Sequence, residues 1–255
     1  MNGEGERADG YEHGPETGPG RGRPATGAGD DDGDPLPNLA VRVWELLVAP
    51  GRLFDRLRER PAWIGALLLI IVVSLVTTWL TPEELMRQAA TQGMPADAPA
   101  EQVESAAEFA GTLSYVFSVI GPPIAVSVVA GLLLFVFNVL LGGAAGFKQL
   151  FSAVSHAWII LTLGVLLTLP IMIGAGDVNA ALALHHLAPG LEEGFLYRFL
   201  HGLNVFGLWT TVVLGIGVSR IYPDRAAGGS VAILISLYVL MKIGWAVLGG
   251  FAPGA

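Results

Sequence analysis

AWIGALLLIIVVSLVTTWL, residues 62–80, runs for nineteen residues without a charge. That is close to the roughly 20 residues a helix needs to cross a hydrocarbon core of about 30 Å. A backbone in lipid must satisfy its own hydrogen bonds, so such a run is expected to be helical. Four more runs follow, Ile124–Leu141, Ala157–Ile173, Leu203–Val218 and Val231–Leu248, each 16–18 residues long. The pattern predicts an all-α protein, a polytopic transmembrane helical bundle with five spans.

The basic residues predict its orientation. Eight arginines precede the first run, Lys148 follows the second, and Arg220 and Arg225 follow the fourth, so eleven of fourteen basic residues share one side. The other side holds Arg87 and Arg198, and Lys242 falls inside the last run. Lys and Arg near span ends favour the cytoplasm. The N-terminus is therefore expected inside and the C-terminus outside, in the cell membrane as a multi-pass protein.

Hydrophobic residues make up 53% and charged residues 14% of the chain, and mean hydropathy is +0.59. This is too apolar for an ordinary soluble domain. The net charge of −8 comes largely from the N-terminal tail and one outer loop and argues against nucleic acid as a partner. With no cysteine, disulfides, thiolate metal sites, a cysteine nucleophile and palmitoylation are excluded. The first 38 residues lack the apolar core of a cleavable signal peptide, so the first run is expected to act as an uncleaved anchor.

Residues 1–38 read as an acidic, Gly/Pro-rich, disordered tail. Residues 39–60 are amphipathic, with Leu39, Val43, Leu46, Leu47, Leu53, Phe54 and Leu57 at helical spacing. Asn38 is the expected N-cap, and Pro50-Gly51 should divide the segment into two short helices. Arg52, Arg56 and Arg60 share one face, with Arg58 beside them, so the segment reads as an interfacial helix on the anionic inner leaflet. The plainer interpretation is a positive-inside topology signal, and both can hold. Residues 61–250 form the five-helix membrane domain and 251–255 a short tail. Glu101–Phe109 is expected as a surface helix of the acidic outer loop. Gly121-Pro122-Pro123 interrupts an apolar stretch that would be about 44 Å long from Leu113 to Leu141 as one helix. A break is expected there, with Leu113–Ile120 in the interface or re-entering; such a break can mark a binding site in a transporter, and the plainer alternative is a proline pair that simply begins the span's helix at its outer end.

Three stretches, LLVAPGRLFDRLRERPAW (46–63), GFKQLFSAVSHAW (146–158) and LNVFGLWTTVVLGIGVSR (203–220), occur in an order and spacing that resembles the Yip family, the Ypt/Rab-interacting group of integral membrane proteins with bacterial and archaeal members. The resemblance covers about residues 40 to 250 and implies a five-span helical domain with a cytoplasmic N-terminus and no established reaction. The Asp-Leu-Tyr-Gly-Pro type motif of the eukaryotic trafficking members is absent, and Ile159-Ile160 stand where many relatives have a proline. Rab binding and Golgi trafficking are therefore not carried over.

Among polar residues, Lys242 stands out, because an ammonium in mid-membrane normally faces a bundle interior or water. Its candidate intramembrane partners are Asn138, His156 and Asn204, against the plainer alternative of a snorkelling lysine. Gly207, Thr211, Gly215 and Ser219 recur every four residues, a small-residue stripe that suits packing within the bundle or, alternatively, a homo-oligomer. Trp44, Trp63, Trp79, Tyr115, Trp158, Tyr222 and Trp245 mostly sit near run ends, as interfacial anchors do. His185 and His186 are adjacent and, even with Asp177, offer only a loose metal site, so no metal and no cofactor are expected. No zincin, nucleophile-elbow or P-loop pattern occurs, and no catalytic residue is expected. The chain thus reads as a non-enzymatic scaffold or membrane-organising factor that binds the lipid bilayer or a membrane-protein partner. The alternative is a small transporter or channel using Lys242 and the Gly121-Pro122-Pro123 break.

Overall fold

The computed structural model describes residues 36–249, apart from 92–93, 96–97, 179–183, 189 and 193. The N-terminal tail up to residue 35 and the C-terminal tail lie outside the described residues, as does the side chain of His186. Among the described residues every regular element is helical. Two short helices, α1 (Leu39–Val48) and α2 (Pro50–Glu59), precede α3 (Ile64–Leu80) and α4 (Glu83–Thr91). The long α5 (Ala100–Leu134) continues as a π-helical turn, Phe135–Leu140. After it come α6 (Phe147–Ala175), a 3₁₀ turn (Leu184–Leu187), α7 (Phe195–Gly202), α8 (Val205–Ile221) and α9 (Ala227–Gly249).

The helix punctuation follows the sequence. Asn38 Oδ1 accepts from the Val41 amide at 3.0 Å and caps α1. Pro50 opens α2 where its missing N–H is no loss. Gln149 turns back to accept the Gly146 amide at 2.9 Å at the start of α6. Gly176, at φ 63°, closes α6 in the left-handed conformation.

Among the described residues three helices are long and apolar enough to cross a membrane: α5 with its π-turn, α6 and α9. The pair α3 and α4 also qualifies together but bends by 100° between the two. At 17 residues each, α3 and α8 stand at the short end of what spans. The most apolar window of α9 is only 11% buried, and Leu240, Trp245 and Leu248 point outward. Such an apolar exterior suits lipid rather than water.

The core lies at one end, the base, where Leu46, Leu53, Phe54, Leu57, Phe137 and Leu150 are completely buried. The apolar faces of α1 and α2 are thus covered by protein, chiefly α6 and α8. Burying each such side chain contributes about 1.5–3 kcal/mol. At the opposite end, the top, Arg87 of α4 donates to Glu104 of α5 at 2.7 Å. There too, Arg198 of α7 donates to the Ala246 carbonyl of α9 at 3.1 Å.

The expected break at Gly121-Pro122-Pro123 does not occur: α5 is helical through it, and Leu113–Ile120 belongs to the same helix. Nor is Glu101–Phe109 a separate surface helix, since it forms the first turns of α5. With its π-turn the element covers 41 residues, about 60 Å at 1.5 Å per residue. That is about twice a hydrocarbon core of about 30 Å, and the acidic start continues the helix instead of folding back. Prolines are tolerated in such helices because neighbours and hydroxyls compensate for the lost amides. Here Ser114, Ser118 and Ser127 donate to the carbonyls of Ala110, Ser114 and Pro123 on either side of the proline pair.

Candidate functional site

Arginines gather at the base, and each is held differently. Arg56 Nη1 reaches both carboxylate oxygens of Glu45, at 2.7 and 2.8 Å, and joins α2 to α1. Glu45 is buried, and Arg56 supplies its counter-charge. Arg58 Nη1 donates to the Arg220 carbonyl at the end of α8 at 3.4 Å. Arg52 and Arg60 are exposed. The segment expected to touch the leaflet therefore docks by its apolar face, exposes Arg52 and Arg60, and ties Arg56 and Arg58 to α1 and α8.

Arg42, at the start of α1, is a residue the sequence reading passed over. Its Nη1 lies 3.3 Å from both the Ala62 carbonyl and His156 Nε2. A guanidinium can only donate, so Nε2 accepts and Nδ1 carries the proton that goes to the Ser152 carbonyl at 2.8 Å. Ser152 Oγ in turn accepts from the Ala62 amide at 3.2 Å. The loop closes on itself and fixes the turn into α3. Partial burial draws Arg42 below the usual arginine range.

Asn138 serves as a second latch. Its side chain donates to the Ala145 carbonyl at 2.9 Å and accepts from the Ala145 amide at 3.2 Å and from Tyr222 Oη at 2.6 Å. Tyr222 stacks on Phe137 with ring centroids 5.3 Å apart. Burial holds its phenol above the ordinary tyrosine range, while the Arg225 charge pulls the other way. Tyr222 is thus a buried strut, not the interfacial anchor expected for it. Gly143 is obligatory here, because a Cβ would lie 2.5 Å from the Tyr222 ring.

Lys242 is remote from both latches. Its Nζ lies 5.4 Å from the Tyr238 ring centroid, and its stem packs on Gly202 near the top of the bundle. Asn204, one of its candidate partners, instead caps α8 by accepting the Gly207 amide at 2.6 Å. The four polar residues singled out from sequence are therefore not one site: Asn138 and His156 serve separate latches, and Asn204 a helix cap.

The small-residue stripe is buried along its length. A Cβ on Gly207 would come within 2.6 Å of Tyr238 Oη, and one on Gly215 within 2.6 Å of Val231 Cα. These positions are occupied by α9, so the glycines of the stripe serve packing inside the chain. Gly217, outside the stripe, makes room for Phe54 of α2.

An open groove of about 580 Å³ runs between α3, α5 and α6. Most of its hydroxyls are already committed, Thr77 to Val73, Ser114 to Ala110, Ser118 to Ser114 and Thr162 to Trp158. It therefore presents a largely apolar wall. Among the described residues no group of three His, Cys, Asp or Glu could hold a metal ion.

Residues 44–250 match the Yip1 domain family. The chain is also similar to membrane protein YknW of Bacillus subtilis strain 168, with 27% identity over 205 residues, covering 78% of this chain and 86% of the relative. No solved structure matches it.

Proposed function

The chain belongs to the Yip1 domain family, and from that premise we propose that it is a non-enzymatic membrane-organising scaffold of the cytoplasmic membrane. The observation that carries this reading is the docked pair α1–α2. Its apolar side is spent on the bundle, with Leu46, Leu53, Phe54 and Leu57 fully buried. What remains for a partner is a basic rim beside the ends of the spanning helices: the exposed Arg52 and Arg60 foremost, with half-buried Arg58 beside them and Arg56 held on Glu45. Such a rim suits anionic headgroups of the inner leaflet or an acidic membrane-protein partner.

Five crossings with the N-terminus inside go with this proposal. The short loops 141–146 and 222–226 lie at the base with α1 and α2, while α4 and α7 lie at the top. The basic residues segregate accordingly. The two helices of 17 residues, α3 and α8, cross a hydrocarbon core only if it is locally thin or the flanking residues reach outward.

The test is recovery of lipid and protein partners from detergent-solubilised protein. Enrichment of anionic lipid, or of a defined partner, over a scrambled-order control is the expected result, reduced when Arg52 and Arg60 become Gln. Recovery no better than the control, for lipid and protein alike, would end this reading.

A further inference from the structure

At the base, α2, the end of α8 and the start of α9 enclose a cleft of about 340 Å³. Its walls include Asp55, Arg58, Ser219, Arg220 and Arg225. We infer that this cleft binds a phosphate group, and that the group belongs to an anionic lipid headgroup. The inference rests on the reading that the base meets an anionic leaflet, and it narrows that reading to one site.

Charge makes the first argument. Three guanidiniums and one carboxylate line the cleft, and the carboxylate makes only a long, exposed ion pair, Asp55 Oδ2 lying 3.8 Å from Arg220 Nη1. The lining's net excess of two positive charges favours an anion, and arginine forks favour phosphate oxygens.

Placement makes the second. Arg58 comes from α2, while Arg220 and Arg225 flank the turn between α8 and α9 more than 160 residues later in the chain, and each is steered by backbone. Arg220 lies across Gly51, where a Cβ would meet its Nη2 at 3.0 Å. Arg58 is tied to the Arg220 carbonyl at 3.4 Å. Arg225 donates to the Leu141 carbonyl and lies 5.8 Å over the Phe137 ring. A guanidinium carries five N–H donors, so each of these retains donors to spend on a ligand. Arginines that only signal topology would need neither convergence nor a glycine beneath them.

Size and position make the third. The volume lies at the small end of ligand pockets, large enough for a headgroup and its waters. Basic pockets between helices at a membrane surface recognise lipid headgroups in this way. Ala227, exposed at the cleft wall, opens α9, and Gly228 and Gly229 have clear space before them.

The experiment is native mass spectrometry of the full-length protein in detergent with added phosphatidylglycerol, phosphatidic acid or phosphatidylcholine. In parallel, the thermal midpoint is followed with inorganic phosphate alone. Two cleft variants are compared, Arg220→Gln/Arg225→Gln and Ala227→Glu. The second plants a carboxylate at the first turn of α9, where a helix tolerates it well, so it keeps the test valid if the double variant fails to fold. Arg87→Gln, at the opposite end, controls for loss of charge.

Anionic-lipid adducts should fall at least about tenfold in either cleft variant and stay near wild type in Arg87→Gln. A midpoint raised by inorganic phosphate and abolished by the cleft variants, with no anionic-lipid adducts, would overturn the lipid assignment and give the cleft to a soluble anion. Adducts undiminished in the cleft variants but lost in Arg52→Gln/Arg60→Gln would overturn the cleft and leave the leaflet reading standing. No anionic-lipid adducts and no response to phosphate would overturn both.

Discussion

Glu45 and Arg56 show what a single pair does at the foot of this bundle. The carboxylate is buried and its partner only half so, so removing Arg56 strands a charge where water reaches it poorly. Arg56→Ala should lower stability by about 1–3 kcal/mol, read as a drop in the thermal midpoint in detergent. Glu45→Gln/Arg56→Gln should cost less than Arg56→Ala alone, because no charge is left stranded. Gly143→Ala meets a different obstacle, the Tyr222 ring and the Phe137 carbonyl. Its cost should be about 1–3 kcal/mol, and a midpoint equal to wild type would show that the Tyr222 strut yields freely. At this scale the sequence was a partial guide. Polarity within or beside apolar runs picked out Asn138 and His156. Their partners, Tyr222 and Arg42, lie 84 and 114 positions away, and no spacing rule spans that distance.

Among the elements, α5 separates local propensity from its context. A residue before proline disfavours the helical region, and Gly121-Pro122-Pro123 looked like an interruption for that reason. The helix continues because a break in lipid would expose backbone polar groups. Replacing Pro122 and Pro123 by Ala should therefore leave stability unchanged or raise it, by up to about 3 kcal/mol per site on helix propensity alone, read as a thermal midpoint at or above wild type. A clear loss of stability or helicity would mean that the prolines shape α5 in a way its continuity conceals. The stripe on α8 gives the opposite expectation. Gly215→Val should push Val231, and α9 with it, away from α8 and cost about 1–3 kcal/mol, whereas a change only in oligomeric state would assign that face to a second copy. The division of α1 from α2 and the cap at Asn38 were legible beforehand, since capping and proline chemistry are local.

For the molecule as a whole, composition and charge sufficed for a helical multi-pass bundle, because lipid permits few alternatives to a helix. They did not reveal that the pre-span helices pack under the bundle, since an amphipathic face reads alike for lipid and for protein. The absence of native cysteine allows a direct check on topology. Single cysteines at Ala28, Ala144 and Ala227 should resist an impermeant reagent in intact cells, while those at Ala96, Ala188 and Ala252 should react. Labelling at Ala144 would remove one crossing and reverse the ends that follow.

Phe54 packs beneath Gly217, and these residues are made far apart in time. A ribosome adding about 5–20 residues per second needs roughly 10–30 s to travel from one to the other. Through that interval the greasy side of α2 has no α8 to cover it, and the membrane surface is the nearest shelter. The finished bundle thus closes on a helix that has waited at the interface, and the last helices to be synthesised complete the first.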